Sequence, residues 1–211
     1  NDQMRVVDED CVRVEPLDKV VSVTGFAPDV LKADVQGGEA CVLGGAEDSL
    51  DRSIFFVEAE VSFLERYCDQ PSFADIEAHL RGRGFELIDL HRLKRYRHRN
   101  AAGLCNLSLG KGQRAGRIAY ADAFFLLCED VAAARCEAMD APGRSAFVLK
   151  AVMVLLAYGK PDLAARWFDL YADCFEPPAR RSVEAGLAMI GRRRFGLGHL
   201  YHVFEYIARR L

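Results

Sequence analysis

No apolar run in this sequence is long enough to cross a bilayer. The longest, Ala146 to Tyr158, is broken by Lys150, and a spanning helix needs about 20 apolar residues. Neither a signal peptide nor an anchor can be read, so a cytoplasmic protein without membrane attachment is expected. An excess of positive charge is missing too. With 28 basic and 31 acidic residues the net charge is -3, and no global field collects the phosphates of a nucleic acid or coats an anionic membrane. The seven cysteines are an odd number, and none is paired at zinc-knuckle spacing. They read as free thiols, small buried hydrophobes in a reducing compartment, and no metal is expected. Disorder is excluded as well, because 51% hydrophobic and 28% charged residues are the proportions of a globular domain.

What is present has two rhythms. Up to Asp130, short apolar runs alternate with amphipathic stretches, as in an α/β domain. Val30 to Val35 reads as a strand carrying Asp34 near its end, then a glycine turn, then one helix over Glu39 to Leu50. Ile54 to Val61 is apolar except for Glu58 and Glu60, the pattern of a strand buried on both faces until its carboxyl end. Ser72 to Arg81 has an N-cap serine with Asp75 three residues on, and predicts a helix. Phe85 to Leu90 alternates as a strand. Arg92 to Arg99 holds Lys94 and five arginines or histidines and reads, with Gly103, Gly110, Gly112 and Gly116, as a long basic loop. Ile118 to Cys128 then returns as the antiparallel partner of the preceding strand. Past Asp130 strands cease. Helices are expected over Val131 to Met139, Ala146 to Tyr158, Pro161 to Cys174, Pro178 to Ile190 and Leu197 to Leu211. The division is 1–130 for the α/β part and 131–211 for a helical extension. The chain opens on Asn1 in a polar, strand-like stretch up to Val14, which reads as a truncated start.

The segment LKADVQGGEACVLGGAEDSL, Leu31 to Leu50, resembles the FkbM family of S-adenosylmethionine-dependent methyltransferases. That family's pattern is lysine, any residue, aspartate, valine, an acid, glycine, any residue, glutamate, then a helix ending near Leu-x-Gly-Ala. Lys32, Asp34, Val35, Gly37, Glu39, Leu43, Gly45 and Ala46 match it, and Gln36 stands where the pattern has an acid. VEPLDKV upstream and FFVEAEVSFLERYCDQPSFADI, GFELIDLHRLKR and YADAFFL downstream are similar in order, so the likeness covers about 130 residues. It implies a partial class I methyltransferase sheet, Rossmann-like, holding the later strands with the last antiparallel. It also implies S-adenosylmethionine as cofactor and a hydroxyl of a sugar, polyketide or similar metabolite as acceptor. The strand and glycine-rich turn that would hold that cofactor are not found here; Gly110-Lys111-Gly112 lacks the preceding strand.

Chemistry narrows the residues. In an open parallel sheet ligands sit outside the carboxyl ends of the strands, where Asp34 and Glu58 are expected. A neutral alcohol is a poor nucleophile, so methyl transfer needs a group to accept its proton. Asp34 is the first choice, with Glu58 and His91 as other catalytic candidates; Asp34 could instead cap the helix, and His91 could lie on the surface. Asp34, Val35 and Gly37 are assigned to the cofactor, and Glu60 and Arg92 to the acceptor. Glu39 in the first helical turn and Lys32 in the strand are read as structural, Lys32 paired with Glu39 or Glu58. The competing reading is a catalytically silent remnant whose helical tail mediates oligomerisation or partner docking.

Overall fold

The computed structural model describes residues 10–104 and 115–192. Residues 10–16 form no regular element, so no strand is found in the described part of the opening stretch; instead a helix α1 spans Leu17–Thr24. There follow β1 Val30–Ala33, α2 Glu39–Gly44, α3 Glu47–Arg52, β2 Phe56–Ser62, α4 Phe73–Arg81, β3 Phe85–Tyr96 and β4 Arg117–Leu127. The helical part is α5 Glu129–Glu137, α6 Ala141–Ala157, α7 Pro161–Tyr171 with a 3-10 turn at Ala172–Cys174, and α8 Pro177–Arg192. The predicted helix Leu197 to Leu211 and the glycines Gly110 and Gly112 lie outside the described residues.

Two expectations are corrected by partners distant in sequence. The single helix Glu39 to Leu50 is broken in two, because the Gly45 carbonyl accepts the Asp18 N–H at 2.9 Å. The Asp18 carboxylate then caps α3, accepting from the N–H groups of Asp48 (2.8 Å) and Ser49 (2.9 Å) and from the Ser49 hydroxyl (2.6 Å). Second, the basic stretch from Arg92 is not all loop: β3 continues through Tyr96, because β4 is long enough to pair with it. The cysteines also depart from the buried role expected for them. Of the six described, only Cys136 is buried, while Cys11, Cys41 and Cys68 are exposed.

The sheet runs β1-β2-β4-β3. β1 and β2 are parallel, and β4 lies antiparallel between β2 and β3. On β2, Val57, Ala59 and Val61 are buried on one face, while Phe56, Glu58, Glu60 and Ser62 point to the other, as the two-residue period requires. α6 covers the start of this second face: Phe56 meets Tyr158 with ring centroids 4.4 Å apart. Phe55 packs edge-on against Phe147 at 5.5 Å, and Phe147 against Trp167 at 6.0 Å. One buried apolar cluster therefore includes residues of the sheet, α6 and α7. α4 begins with a reciprocal cap between Ser72 and Asp75 and buries Ile76 and Leu80.

Candidate functional site

The turn after β1 is held by one carboxylate. Gln36 and Gly37 have φ of 57° and 109°, and at Gly37 a Cβ would stand 3.1 Å from the Tyr67 ring, so a glycine is required there. Glu39, only 1% exposed, accepts from the Val35 N–H at 3.0 Å and the Gly37 N–H at 3.1 Å. Tyr67 donates to the side-chain oxygen Oε1 of Gln36 at 2.6 Å, and Nε2 of the same side chain donates to Asp34 at 3.0 Å. Asp34 is thereby set, exposed, one residue beyond the carboxyl end of β1.

Strand register extends this point into a row. Ala33 pairs with Ala59, so Asp34 comes beside Glu60; Glu60 pairs with Asp122, and Asp122 with His91. Three carboxylates and an imidazole thus stand in line across four strands. Glu60 is bound at 2.7 Å by Arg66, whose guanidinium lies 4.0 Å over the Tyr120 ring. Burial pushes the Glu60 carboxyl above its ordinary range against the pull of Arg66, and Asp34 and Glu39 add to the push.

A second group lies behind this row, in an open cleft of about 510 Å³ between the sheet and the end of α6. Lys32 pairs with Glu58, not with Glu39. The other oxygen of Glu58 accepts from the Tyr158 hydroxyl at 2.7 Å. Burial alone would raise the Glu58 carboxyl; hydrogen bonds from Lys32 and Tyr158 outweigh it and hold the group below its ordinary range. Burial and the bond to Glu58 push Tyr158 up to about 12. Asp89 is taken by Lys160 and by the Leu90 N–H. His91, exposed on β3, stacks on Phe124 with centroids 5.7 Å apart. Arg92 and Asp122 also line the cleft.

The residues picked from the sequence therefore fall into two groups. Asp34, Val35, Gly37, Glu39 and Glu60 gather at the carboxyl rim of β1 and β2, and Lys32, Glu58, His91 and Arg92 at the cleft, whose lining does not include Asp34. Sequence reasoning missed Arg66, Asp122 and Tyr158. Asp122 could have been found by the rule that picked Glu58 and Glu60, since it interrupts an apolar strand. Tyr158 ends an apolar helical run and reads as core. Among the described residues, no group of three or more histidines, cysteines or acids is arranged to hold a metal ion, and no helix is long and apolar enough to cross a membrane.

A mixed α/β fold with carboxylates gathered at the carboxyl ends of parallel strands is the setting of small-molecule chemistry. Comparison specifies it: residues 3–87 match the family model of the methyltransferase FkbM domain. The match supports a methyltransferase activity in general, and ends short of the 130 residues over which the sequence resembles that family. Neither a curated protein nor a solved structure matches the chain.

Proposed function

We propose that the protein belongs to an S-adenosylmethionine-dependent O-methyltransferase that methylates a hydroxyl of a sugar, polyketide or similar metabolite. The observation that carries this reading is the position of Asp34, inside the matched segment, at the carboxyl end of β1 and beside Glu60. The cofactor would supply an electrophilic methyl group. The described residues fit the acceptor side of such a site better than the nucleotide side. A nucleotide is held by free backbone N–H groups, and those of Val35 and Gly37 are given to Glu39.

What these residues can do is accept and steer a proton. Among the described residues Asp34 receives a single hydrogen bond, from Gln36, which leaves acceptor positions for the proton of a hydroxyl in the course of transfer. Glu58 is less suited, since both of its oxygens are already engaged. Glu60, fixed by Arg66, sits where it can orient the hydroxyl toward Asp34.

The test is calorimetric titration of S-adenosylhomocysteine into this chain and into a form carrying any residues that precede Asn1 in its reading frame. Transfer of labelled methyl to a metabolite pool follows in whichever form binds. Asp34→Asn is expected to keep cofactor affinity and lower turnover by about 10²- to 10⁴-fold, the contribution of a general base. Unchanged turnover would remove Asp34 as the base. Absence of binding in both forms would leave the catalytically silent reading.

A further inference from the structure

We propose that the cleft between the sheet and the end of α6 binds the zwitterionic head of an amino-acid-like ligand, its ammonium on Asp122 and its carboxylate on Arg92. Three ion pairs line or flank this cleft, and one differs from the others. Glu58 and Asp89 are each held in contact by a lysine and receive one further hydrogen bond. Among the described residues Asp122 has one ion pair, with Arg92 at 3.8 Å, beyond hydrogen-bonding distance, and Lys32 acts on it from further away. Its side chain is 15% exposed, and among the described residues nothing donates a hydrogen bond to it. On the wall of an open cleft, its acceptor positions are left to whatever enters. Its register neighbours do not occupy them: one is Glu60, of like charge and already bound to Arg66, and the other is His91.

The cation opposite is held only by that long ion pair among the described residues, and the backbone is bent to put it there. Consecutive strand residues face opposite sides of a sheet, yet His91 and Arg92 both line the cleft. The break in pairing between His91 and Lys94, with Arg92 at φ 49°, makes this arrangement. A residue with a side chain adopts that conformation only at a cost, and bulges of this kind re-aim side chains beside binding sites. The Arg92 side chain is 71% exposed and makes no hydrogen bond among the described residues.

A carboxylate and a guanidinium side by side, neither hydrogen-bonded by the described residues, match a ligand that carries both charges on one carbon. A ligand of one sign would satisfy only one of the two. The cleft has room beyond a head group, and His91, stacked on Phe124, offers a flat wall for the remainder of the ligand.

The binding inference does not depend on the methyltransferase reading, and the experiment separates them. L-serine, ethanolamine (no carboxylate) and glycerate (no ammonium) are titrated into the chain, with amide and imidazole shifts followed by NMR. Two charge-assisted contacts should make L-serine bind at least about tenfold tighter than either partial ligand. Asp122→Asn should erase its advantage over glycerate, and Arg92→Gln its advantage over ethanolamine. Arg95→Gln, a cation on β3 outside the cleft lining, should change neither. Asp34→Asn should bind L-serine as the parent does, whatever it does to methyl transfer. Equal binding of the three probes, no binding of any, or an undiminished preference in Arg92→Gln would overturn the proposal. Arg92 is on the surface, so that variant is decisive even where Asp122→Asn fails to fold.

Discussion

Glu39 and Glu58 show how differently two carboxylates can be used on one small scaffold. Glu39 is buried and spends its oxygens on the N–H groups of Val35 and Gly37. Glu39→Ala strands those two donors and should cost about 2 to 4 kcal/mol, measured by urea denaturation, since hydrogen bonds to charged groups contribute roughly 1.5 to 3 kcal/mol each. Glu58 is a titrating group with a hydroxyl partner. Its folded pKa is depressed, so its contribution to stability is present above the ordinary carboxylate range and is lost as pH falls below that range through the lower folded value. Tyr158 is raised from an ordinary 10.0 to about 12. The stability linked to it is therefore intact below pH 10.0 and drains away as pH climbs to about 12. Tyr158→Phe should remove the late-titrating phenol from an ultraviolet tyrosine titration. It should also move the Glu58 carboxyl upward, seen by carbon NMR, because burial then opposes one donor fewer. An unmoved Glu58 would mean that Lys32 alone sets its charge. Lys32 and Glu58 could be read from the sequence as charges inside apolar runs. Their pairing was one of the two expected for Lys32; that Glu39 is excluded and that Tyr158, 100 residues downstream of Glu58, joins them could not be read, because partnership follows from register and packing.

Among the elements, α1 was the one hidden from the sequence. Its residues LDKVVSVT are rich in β-branched side chains, and no side chain caps it at Pro16. It is stabilised instead through Asp18, which caps α3 from 30 residues away. Burial would raise that carboxyl, but the hydroxyl and backbone N–H groups of α3 outweigh it and bring it below its usual 3.8. Asp18→Ala should cost about 1 to 2 kcal/mol, the value of a helix cap. Its signature is local: amides of α1 and of the first turn of α3 should exchange faster with solvent while those of β2 keep their protection. α4, by contrast, was legible to the residue, since its cap is made by Ser72 and Asp75 within one turn. The difference is the range of the interaction, three positions against thirty. The break between α2 and α3 and the extension of β3 to Tyr96 fall on the long-range side, each imposed by a distant partner.

At the scale of the molecule, the helical part beyond Asp130 and the sheet share a core. Phe147 lies between Phe55 and Trp167, and Phe147→Ala should cost about 3 to 5 kcal/mol by the usual cavity penalty. Trp167 is the sole tryptophan and 1% exposed. Its fluorescence should be lost in urea together with the far-ultraviolet dichroism of the whole chain; an earlier fluorescence transition would mean the hairpin of α6 and α7 unfolds by itself. The alternation of strands and helices was open to sequence reading because it is written in local periodicity. The placement of α6 over Phe56 was not, because either face of α6 or a neighbouring subunit would satisfy the same pattern. The position of β4 has a last consequence, for the chain during its synthesis. Of the described strands, the one that emerges last from the ribosome sits between two that precede it. Until residue 127 is clear of the exit tunnel, β2 and β3 have no bridge between them, and Phe56 and Phe85 stand beside bare edges. The nascent chain passes through this sticky stage every time it is made, and its yield in a cell should depend on chaperones that shield it for the interval.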